Sequence, residues 1–180
     1  MYYSAIKNCD IANGTGVRVS IFVSGCTNHC KNCFQPETWD FEYGNEFTSE
    51  VEDKIIEMMK PSYINGITIL GGEPMEPRNQ SGVKKLIDRV RFEYPEKTIW
   101  IYSGFTYEDI IKQGAYPNTK YTSDILMKID VLVDGKFKQE LASPVLKFRG
   151  SSNQRIIDIP RTIISKEVKE IEYDDRQLNK

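Results

Sequence analysis

The stretch VRVSIFVSGCTNHCKNC (residues 17–33) joins a predicted strand to a loop that holds three of the four cysteines in the chain. Val17–Val23 is rich in β-branched and aromatic side chains, which is typical of a β-strand. Cys26, Cys30 and Cys33 follow at once with the spacing C-x3-C-x2-C. A loop this short is able to turn three thiolates toward one centre.

The composition of the 180-residue chain is that of an ordinary globular protein, and its formal net charge of −2 indicates no general affinity for nucleic acid or acidic membranes. No apolar run reaches the ~20 residues of a membrane span, and the N-terminus MYYSAIKNCD lacks the apolar core of a signal peptide. We therefore expect a cytoplasmic protein. Stable disulfides are disfavoured in that compartment, so clustered cysteines indicate metal ligands or redox groups.

Downstream of the cysteine loop, helix and strand patterns alternate. The sequence predicts a helix over residues 49–60, with Ser49 as its cap and Glu52 completing a capping box. The run ITIL (residues 67–70) predicts a strand that is covered on both faces. A second helix is predicted over residues 81–94.

The alternation continues with a predicted strand at Thr98–Tyr102, a helix capped by Thr106 and ended by Gly114, and a strand at Ile129–Val133. This order indicates parallel strands joined by crossover helices. About four to six strands fit the length, too few for a closed eight-stranded barrel. We therefore predict an α/β fold, an open partial (β/α) barrel of parallel strands.

Residues 1–165 are predicted to form one domain, because a chain of this length builds a single core. The segment 166–180 is mixed in charge and poor in apolar residues. It is predicted to be a charged C-terminal tail or a short helix.

Four loops follow predicted strands directly, namely the cysteine loop, GGEP (71–74), SGF (103–105) and VDG (133–135). Loops after parallel strands emerge at one end of the sheet, where α/β folds bind their ligands. The sequence therefore predicts that these four loops form one site.

The cysteine spacing allows three interpretations. The first is a 4Fe–4S cluster held by three thiolates, which leaves one iron with an open coordination position. The second is a zinc site completed by His29 or Cys9, and the third is a set of thiols without a metal. Cys9 alone is more typical of a small buried side chain, and His29 of an exposed loop residue.

The GGEP turn is the natural partner of the cysteine loop. Gly71 and Gly72 let a ligand approach the backbone closely, and Glu73 places a negative charge beside it. Taken alone, the motif also fits an ordinary turn between a strand and a helix.

The pair C-x3-C-x2-C and GGEP resembles the radical S-adenosylmethionine (SAM) superfamily. A narrower resemblance, to the anaerobic ribonucleoside-triphosphate reductase activating proteins, covers about residues 10–159. It rests on DIANGTGVRVSIFVSGCTNHCKNCFQPETWDFEYG, GGEPMEPRN, DVLVDGKFKQEL and FRGSSNQRIID. Many superfamily members carry an aromatic residue just before the third cysteine. Here Asn32 occupies that position and Phe34 follows the cysteine.

The resemblance implies a truncated radical-SAM fold and a role for each motif residue. The three loop cysteines would ligate one 4Fe–4S cluster, and SAM would complete its coordination. Residues implied to lie against SAM are Asn32, Cys33, Phe34, Gly71 and Gly72. Glu73 is implied to pair with the SAM ammonium group. Ser103 and Asp134 are predicted to reach the ribose or methionine part of SAM only from their positions at the ends of later strands. No catalytic side chain is implied beyond the cluster and SAM.

The implied function is the activation of the anaerobic reductase. SAM would be cleaved to methionine and a 5′-deoxyadenosyl radical, which makes a glycyl radical on that large partner. Flavodoxin, ferredoxin or a similar electron donor and a possible homodimer are implied as well. Three alternatives remain at this point: an activase of another glycyl-radical enzyme, a radical SAM enzyme with a small-molecule substrate, and a zinc-stabilised binding module. RGSSNQR (149–155) fits either a loop over SAM, a contact surface for the partner or a polar turn.

Overall fold

The computed structural model describes residues 1–173, and seven strands in this range form one sheet. The strands are β1 (Tyr2–Asp10), β2 (Val17–Val23), β3 (Asn45–Glu46), β4 (Ile64–Gly71), β5 (Thr98–Tyr102), β6 (Val131–Asp134) and β7 (Arg155–Asp158). The helices are α1 (Ser49–Met59), α2 (Pro77–Glu93), α3 (Tyr107–Ile111), α4 (Thr122–Leu126) and α5 (Ile159–Ser165), with short 3-10 helices at Pro36–Trp39 and Gln139–Leu141.

The centre of the sheet is parallel, as the alternating pattern predicts. β2, β4, β5 and β6 are neighbours in that order, and each pair is parallel. The predicted bounds of β2 and β5 are confirmed, whereas β4 begins three residues before the predicted Ile67. Helices α1 and α2 occupy the connections between these strands, so they are the expected crossovers.

The edges of the sheet correct the prediction of four to six strands, all parallel. β1 pairs antiparallel with β2, β3 with β1, and β7 with β6. β1 is only half-buried along most of its length, so its sequence lacks a clear apolar alternation. β7 is four residues long and too short to give a periodic signal.

The start of α1 also differs from the prediction. Thr48 is the N-cap residue and Ser49 already lies within the helix, without a side-chain capping bond. The Glu52 carboxylate does not close a capping box, because it lies buried against α2 and forms an ion pair with Lys85 at 2.8 Å. At α3, the predicted cap is confirmed, since the Thr106 hydroxyl accepts a hydrogen bond from the Asp109 N–H.

The two faces of the sheet differ in chemistry because side chains alternate along each strand. One face, with Ile21, Ile69 and Ile101, packs against the helices in the main apolar core. The other face carries Arg18 and Trp100, which are both buried.

The Arg18 side chain links three neighbouring strands on this second face. Its guanidinium donates to the Thr68 hydroxyl at 2.7 Å and to the carbonyls of Ile67 and Thr98 at 2.7 and 3.0 Å, and it lies over the Trp100 ring. Burial lowers its pKa to about 10, so it stays charged at neutral pH. One cation thus links β2, β4 and β5 through acceptors that are uncharged.

Part of the C-terminal segment beyond residue 165 contacts the sheet. The N–H of Asp158 donates to the Lys169 carbonyl, and the N–H of Ile171 donates to the Ile156 carbonyl at 2.7 Å. Ile171 and Tyr173 then pack on the cluster that contains Trp100. Residues 167–173 therefore belong to the domain, and residues 174–180 of the predicted tail lie outside the described residues. No helix within residues 1–173 is long and apolar enough to cross a membrane.

We expect Ile171→Ala to lower the free energy of unfolding by about 1–2 kcal/mol, because it removes half-buried methyl groups from the Trp100 cluster. The matched control is Ile164→Ala on α5, where the side chain is 83% exposed and the expected change is within about 0.5 kcal/mol. Urea denaturation of both variants measures the difference. Equal values for the two variants would contradict the packing of residues 167–173.

Candidate cofactor site

A cavity of about 500 Å³ lies at the carboxyl ends of β2, β4, β5 and β6. The predicted convergence of four loops is confirmed, because every one of them contributes to its wall. The wall includes Cys26, Cys30, Cys33, Gly71, Gly72, Glu73, Ser103, Gly104 and Gly135. Three thiols and one carboxylate thus line the same cavity.

The cysteine loop leaves β2, is held at its start by residues 38–39 and forms a tight turn at its end. The N–H groups of Gly25 and Cys26 donate to the carbonyls of Thr38 and Trp39, and the N–H of Cys33 donates to the Cys30 carbonyl. Gly25 has a φ of +95°, and a Cβ there would lie 2.2 Å from the Phe41 ring. The glycine before the first cysteine is therefore needed for the turn.

The three loop cysteines are free thiols in the described structure. Burial raises the pKa of Cys26 to about 11, and burial also raises the pKa of Cys30 against the opposing effect of nearby Lys136. Binding to iron requires thiolates, so these two thiols must release protons when a cluster is inserted.

The donor set fits an iron–sulfur cluster. In a 4Fe–4S cluster each thiolate binds a separate iron at its own corner, and three cysteines on one loop around one cavity meet that need. Within residues 1–173, no group of three His, Cys, Asp or Glu side chains is placed to hold a single metal ion.

Neither Cys9 nor His29 completes the cysteine set. Cys9 lies near the end of β1, beside the start of β2, so the length of β2 separates it from the loop by about 20 Å. It is exposed, contrary to the predicted burial. His29 is exposed, as predicted, and its ring stacks on Trp39 with 4.5 Å between centroids.

Glu73 is the most constrained side chain of the site, with 1% of its surface exposed. One carboxylate oxygen accepts hydrogen bonds from the Met75 N–H at 2.9 Å and the Ser103 hydroxyl at 2.8 Å. The other accepts from the Gly104 N–H at 2.6 Å and the Asn28 amide at 3.1 Å. Burial nevertheless raises its pKa to about 7. A ligand cation at this point would favour the ionised form.

Gly71 and Gly72 allow the GGEP turn to touch the start of the cysteine loop. Gly71 has a φ of +108°, and the N–H of Gly72 donates to the Val23 carbonyl at 2.7 Å. A Cβ on Gly72 would lie 2.8 Å from the Gly25 carbonyl oxygen. Any side chain at Gly72 would therefore push the two loops apart.

The other residues predicted to contact SAM fall into two groups. Ser103 and Phe34 line the cavity, and Phe34 stands at its rim, 83% exposed, with its ring 5.3 Å from that of Phe137. Asn32 is exposed in a left-handed conformation with a φ of +56° and does not line the cavity.

Asp134, also predicted to reach SAM, does not line the cavity. It is 1% exposed, and its carboxylate accepts hydrogen bonds from the Arg155 guanidinium at 2.9 Å and the Tyr107 N–H at 2.7 Å. Its carboxylate thus binds Arg155 and the backbone N–H at the start of α3. A strand-end position brings a residue to the correct edge of the sheet but does not fix the direction of its side chain.

The RGSSNQR motif contributes Gly150 and Gln154 to the cavity wall. The sequence alone did not decide between a loop over SAM, a contact surface and a polar turn. The Gln154 side chain accepts a hydrogen bond from the Gly150 N–H at 2.8 Å and donates to the Gly135 carbonyl at 3.1 Å. The motif therefore braces the loop after β6. The sequence did not predict a role for Asn28, which lines the cavity and binds Glu73, or for Lys136, which lies near Cys30. The only signal for either one was its position beside a motif residue.

Comparison with known proteins gives consistent matches. Residues 12–157 match the family described as a 4Fe-4S single cluster domain. The chain is 42% identical over 158 residues to an anaerobic ribonucleoside-triphosphate reductase-activating protein of Vibrio cholerae, covering 87% of this chain and 97% of that relative. Relatives of the same name in Enterobacteria phage T4 and Escherichia coli K12 are 37% and 38% identical, over 87% and 86% of this chain and 93% and 96% of theirs.

The raised pKa of Glu73 makes a prediction about the iron-free protein. A carboxyl group with a higher pKa in the folded state binds its proton more tightly there, so its ionisation costs stability as the pH rises from about 4.5 to about 7. We expect Glu73→Gln to remove this loss, which amounts to about 3 kcal/mol. Urea denaturation of both proteins at several pH values across this range measures how the free energy of unfolding of each one depends on pH.

Glutamine also places an amide among four hydrogen-bond donors, which lowers the stability of the variant by an amount independent of pH. The quantity to compare is therefore the slope of the free energy of unfolding against pH in the wild type and in Glu73→Gln. Two parallel profiles would contradict the raised pKa.

Proposed function

This chain belongs to the family of anaerobic ribonucleoside-triphosphate reductase-activating proteins, and on that premise we propose that it activates such a reductase by generating a glycyl radical on it. The observation that carries the proposal is the shared cavity of three free thiols and the Gly71–Glu73 turn. The chain would thus act as a radical SAM enzyme.

The cysteine count supports a cluster with one open iron. Cys26, Cys30 and Cys33 would hold three irons of a 4Fe–4S cluster, and the fourth would accept SAM. The cluster, when bound, supplies the electron for reductive cleavage of SAM to methionine and a 5′-deoxyadenosyl radical. The protein itself needs to bind and orient SAM and to limit the access of water.

The residues opposite the cluster loop support the binding of SAM. Glu73 presents a buried carboxylate to the cavity, which suits the ammonium group of the methionine part. Ser103 and the Gly104 N–H hold that carboxylate in place. Tyr102 and Phe22 give the same wall aromatic surface, which suits the adenosine part.

The shape of the site supports a macromolecular substrate. The sheet ends in the edge strands β3 and β7, in keeping with an open partial barrel of the truncated radical-SAM type. The exposed ring of Phe34 at the rim gives an apolar contact for an incoming chain segment. We propose that the target glycine of the reductase enters here.

The remaining parts of the proposal rest on the family resemblance. They are a low-potential electron donor such as flavodoxin or ferredoxin and a possible homodimer. The cytoplasmic location is the expectation that the sequence pattern gives.

Electron paramagnetic resonance tests the reaction. The protein is loaded with iron and sulfide without oxygen, reduced, and mixed with SAM and an anaerobic ribonucleoside-triphosphate reductase. We expect a glycyl doublet that requires SAM. Cys30→Ala should abolish it and SAM cleavage while the domain stays folded, because Cys30 lies in a loop outside the core.

A second glycyl-radical enzyme in place of the reductase serves as the specificity control. A doublet formed only on that enzyme would transfer the assignment to another activase. Normal SAM cleavage by Cys30→Ala would contradict the ligand assignment.

A further inference from the structure

Thr27, which follows the first cysteine directly, is held by a side chain from another element. Both the N–H and the hydroxyl of Thr27 donate to one carboxylate oxygen of Glu76, at 2.8 and 2.5 Å. Backbone bonds hold Gly25 and Cys26 against residues 38–39, and the contact with Glu76 extends this support to the next residue of the loop.

Glu76 is fully buried and stands at the start of α2, yet its side chain does not cap that helix. An N-cap carboxylate ordinarily accepts hydrogen bonds from the first turn of its own helix. Here it points to the cysteine loop instead. No lysine or arginine among residues 1–173 forms an ion pair with it, so its charge is stabilised by hydrogen bonds and by the amino end of the helix dipole.

The second oxygen of Glu76 is held by the segment 116–124, which follows α3 and runs into α4. The Tyr116 hydroxyl donates to it at 2.7 Å. The same segment is fastened to α2 through Gln80, which donates to the Pro117 carbonyl at 2.5 Å and accepts from the Thr119 and Thr122 hydroxyls at 2.6 and 2.9 Å. The segment is therefore anchored independently of the Tyr116 contact.

We propose that Glu76 is a positioning residue for the cysteine loop and that Tyr116 fixes its orientation. The chain of contacts runs from the anchored segment through Tyr116 and Glu76 to Thr27, and so to Cys26. The importance of this contact for the cofactor rests on the proposed function, in which Cys26 is a cluster ligand. The contact itself does not depend on it.

The physical reason is that hydrogen bonds to a buried carboxylate are strong and directional. A carboxylate with one oxygen released is free to rotate, and both of its bonds to Thr27 weaken together. Cys26, now 8% exposed, then becomes accessible to small reagents more often.

The test measures the rate at which iodoacetamide alkylates each cysteine of the iron-free full-length chain, by mass spectrometry. Exposed Cys9 is the internal reference. Tyr116→Phe removes one hydroxyl from a side chain that is 58% exposed, so the fold is retained. We expect alkylation of Cys26 to rise roughly tenfold relative to Cys9, as for the loss of a hydrogen bond to a charged group.

The matched control is Tyr94→Phe, which removes the same group from the other end of α2, where the Tyr94 hydroxyl donates to the Ile56 carbonyl at 3.0 Å. It should leave the Cys26 rate unchanged. Glu76→Gln keeps an acceptor for Thr27 and should raise the rate less than Glu76→Ala. Equal rates in wild type and Tyr116→Phe would overturn the proposal, as would an equal rise in Tyr94→Phe.

The reduced, iron-loaded protein gives a second readout. We expect the electron paramagnetic resonance signal with SAM to change shape in Tyr116→Phe and to match wild type in Tyr94→Phe. An unchanged signal in Tyr116→Phe would count against the proposal. A wild-type chain that binds no iron would instead sink the proposed function, and the alkylation result would stand by itself.

Discussion

The parallel pairing of β2 with β4 is the constraint on which the site depends. Its register ends with Val23 beside Gly71, so the cysteine loop and the GGEP turn leave the sheet side by side. The hydrogen bonds from Gly72 to Val23 and from Glu73 to Gly25 extend this pairing beyond the strands. A shift of one residue would turn the side chains of β2 to the wrong faces and separate the two loops.

Two glutamates of the GGEPME stretch, residues 73 and 76, each hold a different residue of the cysteine loop. Glu73 takes the Asn28 amide and faces the cavity, whereas Glu76 takes Thr27 and faces away from it. Both are buried, and both are satisfied by hydrogen bonds from neighbouring loops. Because a buried carboxylate without donors is costly, each one makes the loops around it depend on one another. The site is thus organised by short-range polar contacts placed on a rigid apolar sheet.

The sequence predicts the parts of this arrangement that are periodic or local. The bounds of Val17–Val23 and the meeting of four strand-end loops follow from β propensity and from the rule for parallel sheets. Side-chain direction does not follow from either: Asp134 ends its strand at the expected edge of the sheet, but its carboxylate is held by Arg155. The contact between Thr27 and Glu76 spans 49 positions and has no local signal. Only the folded chain brings such pairs together.

We propose that three cysteines on one loop hold a 4Fe–4S cluster with one iron left open for SAM. Mössbauer spectroscopy of protein loaded with isotopically enriched iron, recorded with and without SAM, tests it most directly. We expect one iron in four to change its spectrum when SAM is added, while the three irons held by Cys26, Cys30 and Cys33 keep theirs. Identical spectra with and without SAM, or a purified chain that carries zinc and no iron, would contradict it.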